Sequence, residues 1–136
     1  MARDKTIIEA GFNKLVALGF TASKISWPGV DFTPPVSGLW LEMNHFPNQP
    51  DDFNWDSDGQ QLYLGFFQVA VYWTRSKQED LGYVGAIDQA ELVIAHFAKG
   101  TDLGGVRVSA RPYMSPMVTE GDKHFIPVAI PYRGIA

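Results

Sequence analysis

The sequence predicts an α+β fold, a mainly antiparallel sheet of about five or six strands with two helices packed on one face. Two segments repeat apolar residues at helical spacing, and one long segment is dense in aromatic and β-branched residues. Turn residues divide the second half of the chain into short alternating segments, which is typical of antiparallel pairing. The 136 residues fit one domain, spanning 1–136.

The first helix is predicted over residues 4–18. Asp4 suits its first turn and Gly19 its end, while Gly11 is unfavourable inside it. Apolar residues recur on one face, namely Ile8, Phe12, Leu15 and Val16. A short alternation over residues 24–27 then indicates an edge strand.

Two exposed loops are predicted, at residues 30–38 and 47–59, on either side of a strand over 39–46. Pro34 and Pro35 lack backbone donors, so the first loop cannot be a central strand. The second loop is polar, acidic and rich in turn residues. The strand between them alternates, with Leu39, Leu41 and Met43 on one face.

Residues 60–74 carry the strongest strand signal in the chain. One face holds Tyr63, Phe67, Val69, Val71 and Trp73, and the other holds Leu62, Leu64, Phe66, Ala70 and Tyr72. Because both faces are largely apolar, we expect both to be covered, one of them by a neighbouring subunit. Gly65 suggests a bulge or a bend within this strand.

The second helix is predicted over residues 83–99, followed by Gly100 as a stop. Further strands follow over residues 105–111 and, more weakly, 113–118, before a turn at 120–123 and a final strand at 125–132. Pro127 and Pro131 fall on the same side of the final strand. That strand should therefore pair fully along only one edge.

No arrangement of residues indicates catalysis. The chain has no cysteine, which excludes disulfides and thiolate chemistry. Its histidines, His45, His96 and His124, lie on separate predicted elements without metal-ligand spacing. Neither a nucleophile elbow nor a phosphate-binding loop is found. We therefore expect a protein that is not an enzyme and has no cofactor or metal.

The acidic loop deserves comparison with calcium-binding loops. Asn54, Asp56, Asp58 and Gly59 copy the start of such a loop, but Gly65 stands where a bidentate glutamate is required. A solvated loop is the simpler reading, and weak cation binding stays open. Within this loop Trp55 is the best candidate for an interface anchor, unless it folds back over its own loop.

Charge bears on the choice of partner. A net charge of −4 and a pI of about 5.2 do not indicate specific nucleic-acid binding, and no apolar run is long enough to span a membrane. No secretory signal is visible, so we expect a cytoplasmic location. Arg107 and Arg111 share a predicted strand face and could both point at an acidic partner, the alternative being an ordinary solvated face.

Four stretches of the sequence carry a resemblance to a known family. They are SWPGVDFTPPVSGLWLEM, GFFQVAVYW, LGGVRVSARP and FIPVAIPYRG, and together they extend over nearly the whole chain. The most specific parts are the F-T-P-P-x-x-G-x-W-L run at residues 32–41 and the I-P-Y-R run at 130–133. In these stretches the chain resembles phage tail terminator-like proteins, small products of the tail gene clusters of long-tailed phages and prophages.

The resemblance implies a structural role in the virion tail. Such proteins are expected to form a ring, a hexamer, that ends polymerisation of the tail tube and offers a joining surface to the head. The implied partners are further copies of the chain, the tail tube protein and a head-completion or connector protein, with assembly in the host cytoplasm. From the residues we add Phe32, Pro34 and Pro35 as candidate interface positions.

Two alternatives stay open. One is another head–tail joining or tail-completion protein of the same gene neighbourhood. The other is a small-molecule-binding domain or enzyme that uses a pocket between the sheet and the helices.

Overall fold

The computed structural model describes residues 3–35, 38–48, 51–52, 61–74 and 82–135. The helices are α1 (Arg3–Ala17) and α2 (Tyr83–His96), and a 3-10 turn lies at Ala22–Lys24. The strands are β1 (Ile25–Ser26), β2 (Trp40–Pro47), β3 (Asp51–Asp52), β4 (Gln61–Thr74), β5 (Asp102–Leu103), β6 (Val106–Val108), β7 (Tyr113–Met114), β8 (Val118–Glu120) and β9 (Lys123–Ile135).

All of these strands belong to one sheet, which is larger than the sequence predicted. Within the described residues it has 9 strand segments in the order β1-β2-β4-β9-β6-β5, with β3 beside β4 and with β7 and β8 beside β9. The sheet is also mixed, because β1 pairs with β2 in parallel. A parallel pair needs a crossover connection, and the chain between Ser26 and Trp40, which contains Pro28, Pro34 and Pro35, supplies it. The α+β class is confirmed, and the sheet differs from the prediction in being mixed and in having more than five or six strands.

The core lies between the two helices and one face of the sheet. Phe67, Val69 and Val71 of β4 are completely buried, as the alternation predicted. The ring of Phe12 on α1 lies 6.5 Å from that of Phe67, and Ala86 and Val93 of α2 join the same apolar cluster. The two helices also meet directly, because His96 Nε2 is hydrogen-bonded to the Lys14 carbonyl oxygen at 2.6 Å.

Strand β9 pairs unequally on its two sides. Its whole length pairs with β4, from Lys123 opposite Thr74 to Ile135 opposite Leu62. On its other side β8, β7 and β6 follow one another as separate short strands. The Pro127 and Pro131 carbonyls point to that interrupted side, where they accept bonds from the Ser115 and Ser109 amides. The predicted pairing along one full edge is thereby confirmed.

Gly65 does not form a bulge, because the pairing of β4 with β9 continues through it without a break and the pairing with β2 keeps its register up to Gly65, where it ends. Its missing side chain leaves room for neighbouring groups. A Cβ at this position would lie 2.7 Å from the Tyr132 hydroxyl oxygen and 2.8 Å from the Phe46 carbonyl oxygen. The glycine therefore lets the tyrosine ring lie over the backbone of β4.

Two predicted elements are shorter in the structure. α2 ends at His96, and the buried Phe97 that follows it caps the helix with a bond from its amide to the Val93 carbonyl. β6 covers only Val106–Val108, so its pairing ends before Arg111. Most of the predicted acidic loop, residues 53–60 with Trp55, lies outside the described residues.

Candidate interaction surface

One face of the sheet is apolar but is not packed against either helix. We call it the open face. It is formed by the half-buried or exposed side chains of Phe46, Leu62, Leu64, Phe66, Tyr72, Tyr113, Val118, Phe125, Pro127 and Pro131. These residues alternate along their strands with those of the core face, so the covered second face expected from the sequence is left open by the described part of the chain. Glu42, Asn44 and Gln68 also lie on this face, so its apolar side chains form separate clusters. Exposed apolar clusters of this kind mark interaction sites.

Rings stack across neighbouring strands on the open face. The rings of Trp40 and Tyr72 lie 5.2 Å apart, and those of Tyr72 and Phe125 lie 4.7 Å apart. A second stack joins Phe46 and Phe66 at 4.9 Å. Cross-strand aromatic pairs of this kind stabilise the sheet and hold the rings in fixed positions. The open face is therefore a preformed, rigid surface.

At one end of the open face lies a groove of about 660 Å³, which we call the acidic groove. Its lining consists of Ser26, Val30, Asp31, Phe32, Pro34, Trp40, Glu42, Tyr72, Glu120, Asp122 and Lys123. The segment that contains Val30 and Pro34 forms one wall beside Trp40. That indole is only 3% exposed although it belongs to the strand face turned away from the core.

The acidic groove is negative in character. Burial, with Glu42 and Glu120 nearby, raises the pKa of Tyr72 to about 12. The phenol is therefore protonated at neutral pH, and the carboxylates supply the charge of the groove. Lys123 is the lone cation in the lining among the described residues.

The opposite end of the open face is basic, and we call it the arginine end. Arg107 of β6 lies directly opposite Arg133 of β9, and both side chains are exposed. Arg107 Nη1 donates to the Gly100 carbonyl oxygen at 2.9 Å. On its other side Arg107 has Asp102 as its strand partner. Asp102 is the strand partner of Arg107 only, and Asp51 and Asp52 of β3 lie beside the start of β4 at the same end of the sheet.

Arg111 does not lie with Arg107. It follows the end of β6 and lines a separate cleft of about 600 Å³ beside α2, with Glu91, Ile94, Ala95, Ala98 and Lys99. The shared strand face predicted for Arg107 and Arg111 was therefore wrong, because the backbone leaves the sheet after Val108.

The structure brings together only part of the predicted interface set. Phe32 and Pro34 line the acidic groove, whereas Pro35 is half-buried outside its lining and Trp55 lies outside the described residues. Sequence reasoning missed Glu42, Tyr72 and Arg133. Their faces could be read from strand alternation, but their neighbours depend on pairing between strands distant in sequence.

On the core side of the sheet, a polar contact links β2 to β9. His45 Nε2 and the Tyr132 hydroxyl are hydrogen-bonded at 2.7 Å, with their rings stacked at 5.7 Å. Burial lowers the pKa of His45, an effect partly opposed by Asp4. Burial and then Asp4 raise the pKa of Tyr132 to about 12. A protonated phenol facing a neutral imidazole lets the O–H donate to Nε2.

Each of the three histidines is hydrogen-bonded to a different partner. His45 bonds Tyr132, His96 bonds the Lys14 carbonyl, and His124 Nδ1 bonds the Thr119 hydroxyl at 2.9 Å. Across the described ranges, no cluster of three or more His, Asp or Glu side chains is arranged to hold a metal ion. Neither described helix has the length and apolarity to cross a membrane.

Comparison with known proteins adds a family and two similar folds. A family model described as "Phage tail terminator protein" matches residues 6–132. One solved chain is 23% identical with a TM-score of 0.69, and the match covers 95% of this chain and 94% of that one. A chain described as "Virion of native gene transfer agent (GTA) particle" is 16% identical with a TM-score of 0.59, covering 99% and 98%. No curated protein matches the chain.

Proposed function

The chain belongs to the phage tail terminator family, and from that premise we propose that it caps the tail tube, ends its polymerisation and forms the surface that joins the head. The family is a structural one and not an enzyme family. The chain is accordingly a phage tail or head–tail structural protein that belongs in the virion tail. Capping and joining are the finer roles proposed here.

The observation that carries this proposal is the open face. Within the described residues, the aromatic stacks of Phe46–Phe66 and Tyr72–Phe125 are left partly exposed. Burying such rings against another protein is favourable, and rigid aromatic side chains lose little conformational entropy when they are buried. An open apolar surface suits permanent assembly better than small-molecule binding, which uses enclosed pockets. The fold shared with a gene transfer agent virion chain supports the same role.

We propose that one domain spanning residues 1–136 assembles as a ring, a hexamer, in the host cytoplasm. Its other partners are the tail tube protein and a head-completion or connector protein. A ring needs two different patches on each copy and a rotation that closes. The interface positions proposed from the sequence, Trp55, Arg107, Arg111, Phe32, Pro34 and Pro35, are kept as candidates for these contacts.

Deletion of the gene from its parent phage or prophage tests the proposal, with tail length measured by electron microscopy in the lysate. Overlong tubes of variable length without heads are expected. Tails of normal length that fail to join heads would identify a joining protein instead. Normal infectious particles would exclude a role in assembly and revive the ligand-binding alternative.

A further inference from the structure

The two ends of the open face carry opposite charges, and we propose that they meet between copies of the chain. In this contact the acidic groove of one copy receives the arginine end, Arg107 and Arg133, of the next. The inference rests on the proposed function, because it assigns the self-contact that such an assembly requires. Its occupant is a second copy of this chain.

The acidic groove has the chemistry to bind guanidinium groups. Four carboxylates, those of Asp31, Glu42, Glu120 and Asp122, line it against the single ammonium of Lys123. Its lining also includes the stacked rings of Trp40 and Tyr72. Arginine pairs with carboxylates through two parallel hydrogen bonds, so a lining rich in carboxylates favours arginine over lysine.

The arginine end has donors available for such a contact. Arg107 and Arg133 are directly opposed across β6 and β9, an arrangement that is unfavourable for like charges in an isolated sheet. Arg107 uses one nitrogen for the Gly100 carbonyl, and a guanidinium carries five N–H donors. Carboxylates from a neighbouring copy would relieve the repulsion between Arg107 and Arg133.

The two ends lie far apart on the molecule. Tyr72 in the groove and Leu64, the strand partner of Arg133, are separated by eight residues of β4, roughly 26 Å at about 3.3 Å per residue. One copy therefore cannot satisfy its own groove. A contact between two different patches can be repeated from copy to copy, as a ring requires.

Charge reversal in a complementation assay tests the contact. The gene-deleted phage is supplied with an acid-reversed variant (E120R and D122R), an arginine-reversed variant (R107E and R133E), or a combined variant that carries all four substitutions. All four side chains are exposed, so each variant should fold, which circular dichroism and thermal unfolding of the purified proteins would check. A matched control, K5E with K99E, reverses two exposed charges outside the open face.

We expect each reversed variant to lose control of tail length, because like charges then meet at the contact. The combined variant should restore normal tails, since its groove and arginine end are again complementary, and the control should resemble wild type. Normal tails from both reversed variants, or failure of a folded combined variant, would overturn the contact. If the deletion strain makes overlong tails and the wild-type gene restores their length, the capping function is supported whether or not the proposed contact survives its test. Normal tails in that strain would instead reject capping itself.

Discussion

The ring of Phe67 occupies the space in which a side chain at Gly11 would lie, so α1 meets the sheet through bare backbone. We expect Gly11→Ala to destabilise the fold by on the order of 1 kcal/mol. Overpacking costs about 1–3 kcal/mol, which exceeds the roughly 0.8–1 kcal/mol that alanine gains in helix propensity. Urea unfolding followed by circular dichroism measures the difference.

The contact between Gly11 and Phe67 can also be tested with a double-mutant cycle. If Phe67 is the obstacle, Phe67→Leu combined with Gly11→Ala should cost less than the sum of the two single changes. Strict additivity, or a stabilised Gly11→Ala protein, would contradict the close approach of helix and sheet.

Removing the Tyr132 hydroxyl should weaken the fold modestly. Tyr132→Phe deletes the bond to His45 Nε2, and a hydrogen bond of this kind contributes about 0.5–1.5 kcal/mol. Tyr113→Phe is the matched control, because the side chain of Tyr113 is 57% exposed on the open face. Equal unfolding midpoints for the two variants in urea would show that the bond contributes nothing.

Acid should destabilise the protein through His45. Its pKa is lowered in the folded state by burial, so below the ordinary value of 6.5 the unfolded chain binds protons more readily than the folded one. The stabilising contribution is therefore present above pH 6.5 and is lost as pH falls through the lower folded value. His45→Gln should flatten this part of the pH profile of the free energy of unfolding, measured by urea titration.

His124→Gln is the matched control for that profile. His124 lies at the end of β9 away from Tyr132, the partner of His45, and bonds Thr119. It should keep the acid-dependent loss that His45→Gln removes. An unchanged slope in the His45→Gln protein would show that this side chain does not govern the acid response.

The open face should be needed for assembly more than for folding. Phe46→Ser removes a 43% exposed ring, and the loss of its stacking should lower the free energy of unfolding by about 1 kcal/mol. The control Leu92→Ser replaces a 55% exposed side chain on α2 and should change the free energy of unfolding by about 0.5 kcal/mol or less. Both proteins should fold, but only Phe46→Ser should give overlong tails when supplied to the gene-deleted phage. Normal tails with Phe46→Ser would remove this part of the face from the assembly surface.

Local pattern was sufficient for much of the architecture. The alternation through residues 62–73 predicted which side chains of β4 face the core, and the spacing of Pro127 and Pro131 predicted the unequal pairing of β9. Both features depend only on the two-residue period of a strand and on the missing proline amide.

Features that depend on pairing between segments distant in sequence could not be predicted from local pattern. The parallel β1–β2 pair involves only two residues of β1, too few to show a direction. Arg133 faces Arg107 only because β6 lies beside β9, and sequence spacing indicated Arg111 instead. Gly11 was interpreted as unfavourable for its helix and Gly65 as a bulge or bend, whereas each glycine admits an aromatic ring from a residue far along the chain.

The outermost strands of the sheet, β1 and β5, are only two residues long. Each therefore exposes few unpaired backbone amides and carbonyls to a passing chain. Long free edges invite indiscriminate strand addition and fibrillar aggregation, and short ones discourage it. Side-chain recognition, which can be selective, is therefore a more favourable route to self-association than pairing along β1 or β5.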